Sequence, residues 1–231
     1  SPQDPTIDRV TRAEALAGLA SALTFGGAAD QAEPLFAEAL STLEAERALP
    51  ALADALVIRA SYLLFNHRRE EGTALLRHAL ALAEEHDLPK VALRARFNLA
   101  SASLENDRLA ETVAMVNEAL VLARQRGDRP EERMLLAQLV APLVMLGRWD
   151  EAGPIAAVIA GDPGVSAMVA TVFLAQIAAG RRDDATLERC RAAAVANRTS
   201  TDVDVRASAE LVLARDALEH GAVAEALHLA R

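Results

Sequence analysis

Aromatic side chains are scarce in this chain of 231 residues: they make up 3% of it, with a single tryptophan and a single tyrosine. The length is ample for a core, but that core cannot be built around large rings and must be filled with aliphatic and small groups. Cysteine is equally sparse. Cys190 is the one example, which excludes an internal disulfide framework and any cysteine zinc cluster. The solitary lysine, Lys90, is followed by Val91 and preceded by no glycines, so the chain has no phosphate-binding loop of the Gly-rich, Lys-Ser/Thr kind. No apolar run approaches a membrane span, and Ser1–Val10 lacks the charged-then-apolar layout of a signal peptide. These absences predict a cytoplasmic protein with no membrane partner. A basic face is missing as well: 24 Lys and Arg stand against 33 Asp and Glu, a net charge of −9, which argues against a nucleic-acid groove.

What the chain has instead is helix-forming residues. Apolar residues make up 52% of it, and alanine, leucine, arginine and glutamate dominate while β-branched residues are few. All four are strong helix formers. The predicted class is all-α, with helices that approach closely at small residues.

Self-similarity organises the sequence. A turn of the type Gly-x-x-acid-acid-Ala recurs as Gly27–Ala32, His67–Gly72, Asp107–Thr112, Gly147–Ala152, Gly180–Ala185 and Gly221–Ala226. The final residues are 32, 72, 112, 152, 185 and 226, spaced by 40, 40, 40, 33 and 41. After each turn an apolar stripe runs at i, i+3, i+4, i+7, i+8, as in Ala32, Leu35, Phe36, Ala39 and Leu40, the period of a helix burying one side. The helix before each turn has its own set, beginning with Leu16, Leu19, Ala20 and Leu23, and small residues recur at Ala20, Ala60 and Ala100. Glycines at 27, 147, 180 and 221 suit a left-handed residue just past a helix end, a slot that His67 and Asp107 fill less comfortably. Pro50, Pro89 and Pro130 suit the first position of a following helix.

The expected architecture is a right-handed α-solenoid of about six antiparallel helix pairs. A leader covers 1–10, and the repeat domain 11–231 divides into units of approximately 11–48, 49–88, 89–129, 130–163, 164–200 and 201–231. The fourth unit's second helix should stop early, at Gly161–Gly164. The last pair is truncated at Arg231 without a polar capping helix, and solenoids need caps. The chain therefore reads as a fragment of something longer.

These residues carry a resemblance. Leu139, Val140, Gly147, Trp149, Glu151 and Ala152 in the fourth unit, with Leu19, Ala20, Gly27, Ala32, Phe36 and Ala39 in the first, resemble the tetratricopeptide repeat (TPR). The departure is length, since that repeat usually has 34 residues. Units near 40 that are rich in Ala, Arg and Leu resemble the repeat regions of large bacterial ATPase-linked regulators, namely LuxR- or MalT-type activators and class III adenylyl cyclases. The resemblance implies a bacterial signalling or transcription-regulation setting and a protein or peptide partner, or another domain of the same full-length chain. It also implies binding in a concave groove lined by the first helix of each pair. By alignment that groove holds the rows Ser21, Ser61, Ser101, Ala141; Ala17, Val57, Phe97, Ala137; and Thr24, Leu64, Leu104, Val144. Arg94, Asn98 and Gln138 lie nearby. The candidate binding residues are thus Ser61, Leu64, Arg94, Phe97, Asn98, Ser101, Leu104 and Gln138. Only Arg94 and Asn98 fit the carboxylate clamp of peptide-terminus binders, so a different occupant is expected: an amphipathic helix read through i, i+3, i+4, i+7 anchors.

No reaction chemistry is evident. The five histidines (67, 78, 86, 220, 228) have no metal-ligand spacing, and no serine stands in a nucleophile elbow. Cys190, between Arg189 and Arg191, reads as a small core residue, and the acidic pairs at the turns favour helix N-termini. Arg68-Arg69 and Arg181-Arg182 read as solvated turns. The expectation is a non-enzymatic interaction scaffold with no metal and no cofactor; the alternative is an effector-sensing region of a larger regulator.

Overall fold

A computed structural model describes residues 8–26 and 28–229. Among them are twelve α-helices and no strand. In order they are α1 (Arg9–Phe25), α2 (Ala32–Ala45), α3 (Leu49–Phe65), α4 (Arg69–Glu85), α5 (Pro89–Glu105), α6 (Leu109–Arg126), α7 (Arg129–Met145), α8 (Trp149–Ile159), α9 (Val165–Arg181), α10 (Asp184–Asn197), α11 (Val203–Glu219) and α12 (Val223–Leu229). The fold is an all-α, TPR-like helical solenoid. The chain separates into two compact units, the first carrying α1–α5 and the second α6–α12.

The turns explain the regularity. Past the helix ends, left-handed residues stand at Arg47, His67, Asp87, Asp107, Gly127 and Gly147, one every 20 residues. Each closes its helix the same way: the next residue's N–H reaches back five residues, as in Ala48 to Leu43 (2.9 Å), Arg68 to Leu63 (2.8 Å) and Arg148 to Leu143 (2.8 Å). This is the Schellman closure, which satisfies the last carbonyls of a helix. The 40-residue unit is thus two helix–turn segments of equal length. His67 and Asp107 do adopt the left-handed conformation despite their side chains.

Several sequence expectations shift. Gly180 is not the left-handed residue of its turn; it lies inside α9, and Arg182 takes that conformation with φ 55°. Ala185 is exposed and Thr186 is buried in its place, so the buried positions run 152, 186, 226, steps of 34 and 40. Leu19 is 50% exposed although Leu99 and Leu139 at later positions are buried, because among the described residues no helix packs on that side of α1. The expected turn residue Gly27 lies outside the described residues. At the N-terminal end α1 already begins at Arg9, with the Asp8 side chain capping it by accepting from the Thr11 N–H at 2.9 Å; an Asp there satisfies an orphan donor. Pro89 opens its helix, while Pro50 and Pro130 sit one position in, where an N–H would also have lacked an intrahelical partner.

The core of the first unit is built as its composition requires. Ala20, Ala32, Phe36, Tyr62 and Leu63 form one cluster with Leu23, Leu35, Ile58 and Leu75 around it. Phe36 is fully buried, with its ring 5.3 Å from that of Tyr62. Between α3 and α4, a Cβ at Gly72 would lie 2.8 Å from Leu64 Cγ and 3.1 Å from the Ala60 carbonyl, so a glycine lets those backbones meet. In the second unit Met168, Ala175, Cys190, Ala194, Val205, Ala209 and Val212 form the corresponding cluster across α9, α10 and α11.

Candidate functional site

Seven of the eight candidate residues lie in the first unit, Ser61 and Leu64 on α3 and the other five on α5; Gln138 lies on α7 in the second unit. α3 and α5 pack side by side, and two polar rungs cross between them. Arg94 Nη2 stands 2.6 Å from Asp54 Oδ1 and donates to the Asp54 carbonyl at 3.2 Å. One turn on, Asn98 Nδ2 donates to Ser61 Oγ at 3.0 Å, and Ser61 Oγ donates to the Val57 carbonyl at 3.1 Å. Ser101 Oγ donates to the Phe97 carbonyl at 3.2 Å. The Arg94–Asp54 pair is surface-exposed, so its stabilisation is about 0–1 kcal/mol; its effect is to fix the direction of the arginine.

The three aligned rows differ. Ser61 and Ser101 are half-buried, as is Ser21, so that row faces outward. Ala17 and Val57 are buried, leaving only the half-buried Phe97 of their row at the surface in this unit. Thr24 is buried too and donates to the Ala20 carbonyl at 2.8 Å. Leu64 and Leu104 are half-buried, and Leu64 leans over Gly72 within its own helix pair. Phe65, at the end of α3, is 58% exposed; sequence periodicity did not single it out because it lies at the helix end, beyond the aligned rows.

Elsewhere, charge is spent on structure. Arg69 donates to the Glu105 carbonyl and to Asn106 Oδ1, each at 3.2 Å, tying α4 to the end of α5. Arg68 pairs with Glu71, and Arg181 with Asp150, so three of the four turn arginines are engaged by acceptors. Arg133 grips Asp162 in bidentate fashion through one guanidinium edge, Nε donating to Oδ2 at 2.9 Å and Nη2 to Oδ1. Hydrogen bonds from the Thr186 hydroxyl and backbone hold the Asp183 carboxyl below its ordinary range. Burial pushes the Cys190 thiol up, the reverse of an activated nucleophile. Among the described residues no group of three His, Cys, Asp or Glu could hold a metal ion, and no helix is long and apolar enough to cross a membrane.

The second unit contains an open cleft of about 270 Å³ that sequence reading missed. Its walls are Gly153, Pro154 and Ala157 of α8 and the start of α10, and its floor is Leu174, Ile177 and Ala178 of α9.

No family model matches the chain, and no curated protein matches it in sequence. Solved structures do match in fold. Aspartyl phosphate phosphatase F from Bacillus subtilis superimposes with a TM-score of 0.74 at 13% identity, over 97% of this chain and 59% of that one. A Signal Transduction ATPase with Numerous Domains (STAND) protein with a tetratricopeptide repeat sensor, from Pyrococcus horikoshii, gives 0.67 at 15% identity. That match covers 94% of this chain, which spans about a third (35%) of the STAND protein. TPR-like repeats of a putative kinesin light chain from Podosopora anserina give 0.66 at 18% identity, over 85% of this chain and 100% of that one. In fold, the chain belongs with the tetratricopeptide-like helical-repeat proteins.

Proposed function

We propose that this chain is a non-catalytic interaction module of a larger bacterial regulatory protein, and that it holds a partner segment against the α3/α5 face. The observation that carries this reading is the pair of rungs, Arg94–Asp54 and Asn98–Ser61. They leave Ser61, Phe97, Asn98 and Ser101 half-exposed on two helices locked side by side. A surface whose side chains are already oriented loses less entropy when it is covered. Small and apolar groups with a few fixed polar ones suit an amphipathic helix from a protein partner or from another domain of the same full-length chain. The fold's occurrence in a STAND protein's repeat sensor supports a regulatory setting.

The test is site-specific photo-crosslinking in the full-length protein, with the crosslinker at Ser101 on this face and, as a control, at Arg77 on α4. A defined adduct at Ser101 that disappears in Phe97→Ala, with the helical content unchanged, is the expected result. Equal adducts from both positions would remove the case for this face.

A further inference from the structure

We propose that the α8/α9/α10 cleft is a binding site for a small carboxylate with a compact apolar body, separate from the α3/α5 face. The cleft opens where α8 presents small residues, at Gly153 and Ala157. Gly153, Pro154 and Ala157 form the α8 wall, and at the positions 40 residues earlier stand Val113, Ala114 and Asn117. At the place of Gly153 the three earlier copies carry a side chain (Glu33, Thr73 and Val113), and at that of Ala157 two of the three are larger (Arg77 and Asn117, with Ala37 the same). α8 and α10 both pack on α9, which leaves Leu174, Ile177 and Ala178 as an apolar floor.

The rim selects for an acceptor. It is formed by Arg181, Asp183, Thr186 and Arg189. Both carboxylate oxygens of Asp183 are already engaged: Oδ1 accepts from the Thr186 N–H at 3.0 Å and Oδ2 from the Thr186 hydroxyl at 2.6 Å. The donors are not used up in the same way. Arg189 gives one N–H to Thr186 Oγ1 at 3.0 Å and helps to stabilise the nearby Asp183 carboxylate by its charge, without a direct ion pair within 4 Å among the described residues. Arg181 turns Nη2 to the exposed Asp150, while its Nη1 lies 3.9 Å from where a Cβ on Gly153 would be. A guanidinium carries five N–H donors against about four lone-pair sites on a carboxylate, and Thr186 already fills two of those on Asp183, so two arginines beside one aspartate leave an excess of donors and of positive charge around the apolar floor. A carboxylate fits a guanidinium edge in bidentate fashion. The volume lies just under the roughly 300–1,000 Å³ of most small-molecule pockets, so the ligand is small.

Trp149 supplies the readout. It is the single tryptophan, it opens α8, and its ring rests on Gly180 beside Arg181. The experiment titrates the protein with isovalerate, phenylacetate, the neutral phenylacetamide and an N-acetylated dipeptide ending in leucine, following Trp149 emission and, in parallel, isothermal calorimetry. Saturable binding of the carboxylates and not of the amide is expected, weakened about tenfold or more by Arg189→Leu, the scale of one lost charged hydrogen bond. Ala157→Leu, at an exposed position, should abolish binding by filling the wall while leaving the circular dichroism unchanged. Tighter binding of the dipeptide than of the free acids would assign the carboxylate to a chain end, and the reverse to a free small molecule. Binding of the amide as tight as that of phenylacetate, or no saturable binding by any probe, would overturn the proposal. The α3/α5 reading stands or falls separately, on the Ser101 crosslink.

Discussion

Gly180→Ala sets two quantities of opposite sign against each other. An alanine inside a helix is favoured over glycine by about 1 kcal/mol, and Gly180 is the next-to-last residue of α9, so propensity alone predicts a more stable protein. Packing predicts the reverse. A Cβ at Gly180 would lie 2.7 Å from Trp149 Cη2 and closer still to Cζ3. The indole would have to retreat by roughly 1 Å to reach ordinary carbon contact. That movement pulls on the hydrogen bond from Trp149 Nε1 to the Val144 carbonyl, now 3.1 Å, worth about 1 kcal/mol. Overpacking adds about 1–3 kcal/mol, so the net expectation is a loss of about 1–3 kcal/mol. Urea unfolding followed by far-ultraviolet circular dichroism and by Trp149 emission measures it. The double variant isolates the cause: once Trp149→Leu has removed the ring, adding Gly180→Ala should be neutral or stabilising. If Gly180→Ala stabilises the otherwise native protein by about 1 kcal/mol, the ring does not pack where it is placed.

Three further outcomes are expected. Arg47→Gly and His67→Gly should each raise the thermal midpoint, since L-residues in the left-handed region cost roughly 1–2 kcal/mol, and Gly147→Ala should lower it; a fall on Arg47→Gly would mean that its side chain contributes more than its backbone costs. Phe36→Ala should destabilise by about 3–5 kcal/mol, because the ring is fully buried against Tyr62; a change under about 0.5 kcal/mol in chemical unfolding would contradict that packing. The third concerns pH: the folded-state carboxyl of Asp183 titrates below its ordinary value, 3.8, because Thr186 hydrogen-bonds the charged form, so its stabilisation is present above that value and is lost as pH falls through the depressed one. Asp183→Ala should then lose stability at neutral pH and match the parent protein in strong acid, which melts across a pH series will show.

Period and punctuation made the fold legible in the sequence. The stripes at Ala32, Phe36, Ala39 and Leu43 are buried as their 3.6-residue spacing requires, and the recurring turn marks where helices end. The register of the fifth unit was not legible, because glycine is a signal with two meanings. At Gly147 it supplies a positive φ, and at Gly180 it makes room for a ring; nothing local separates the two until Trp149 is seen above it. The αL residues Arg47, Asp87 and Arg182 were hidden for the converse reason, since the Schellman closure imposes the conformation whatever the side chain. Of the candidate face, its half-exposed row was readable from the alignment of Ser21, Ser61 and Ser101, because residues 40 apart take the same place in successive helices. The rungs were not: Asn98 reaches Ser61, 37 residues away, and a repeat alignment links only equivalent positions.

The same limit explains why the cleft went unseen, and it bears on where function resides in such a chain. Alignment selects what recurs, and what recurs here is closure of helices and burial of stripes, the work of holding the repeat together. The fourth unit matches the repeat signature best at its turn and departs from it most in the helix after that turn. α8 has 11 residues where α6 has 18, Gly153 replaces the bulk of Val113, and the Arg133–Asp162 fork ties down the loop that the lost turns leave behind. The faithful turn sets the position of α8, the fork holds the shortened end, and the missing side chains open the space between them. If the fork is what keeps that space open, Arg133→Ala should weaken carboxylate binding at the cleft without touching its rim. Unchanged binding in that variant would mean that small side chains alone make the site.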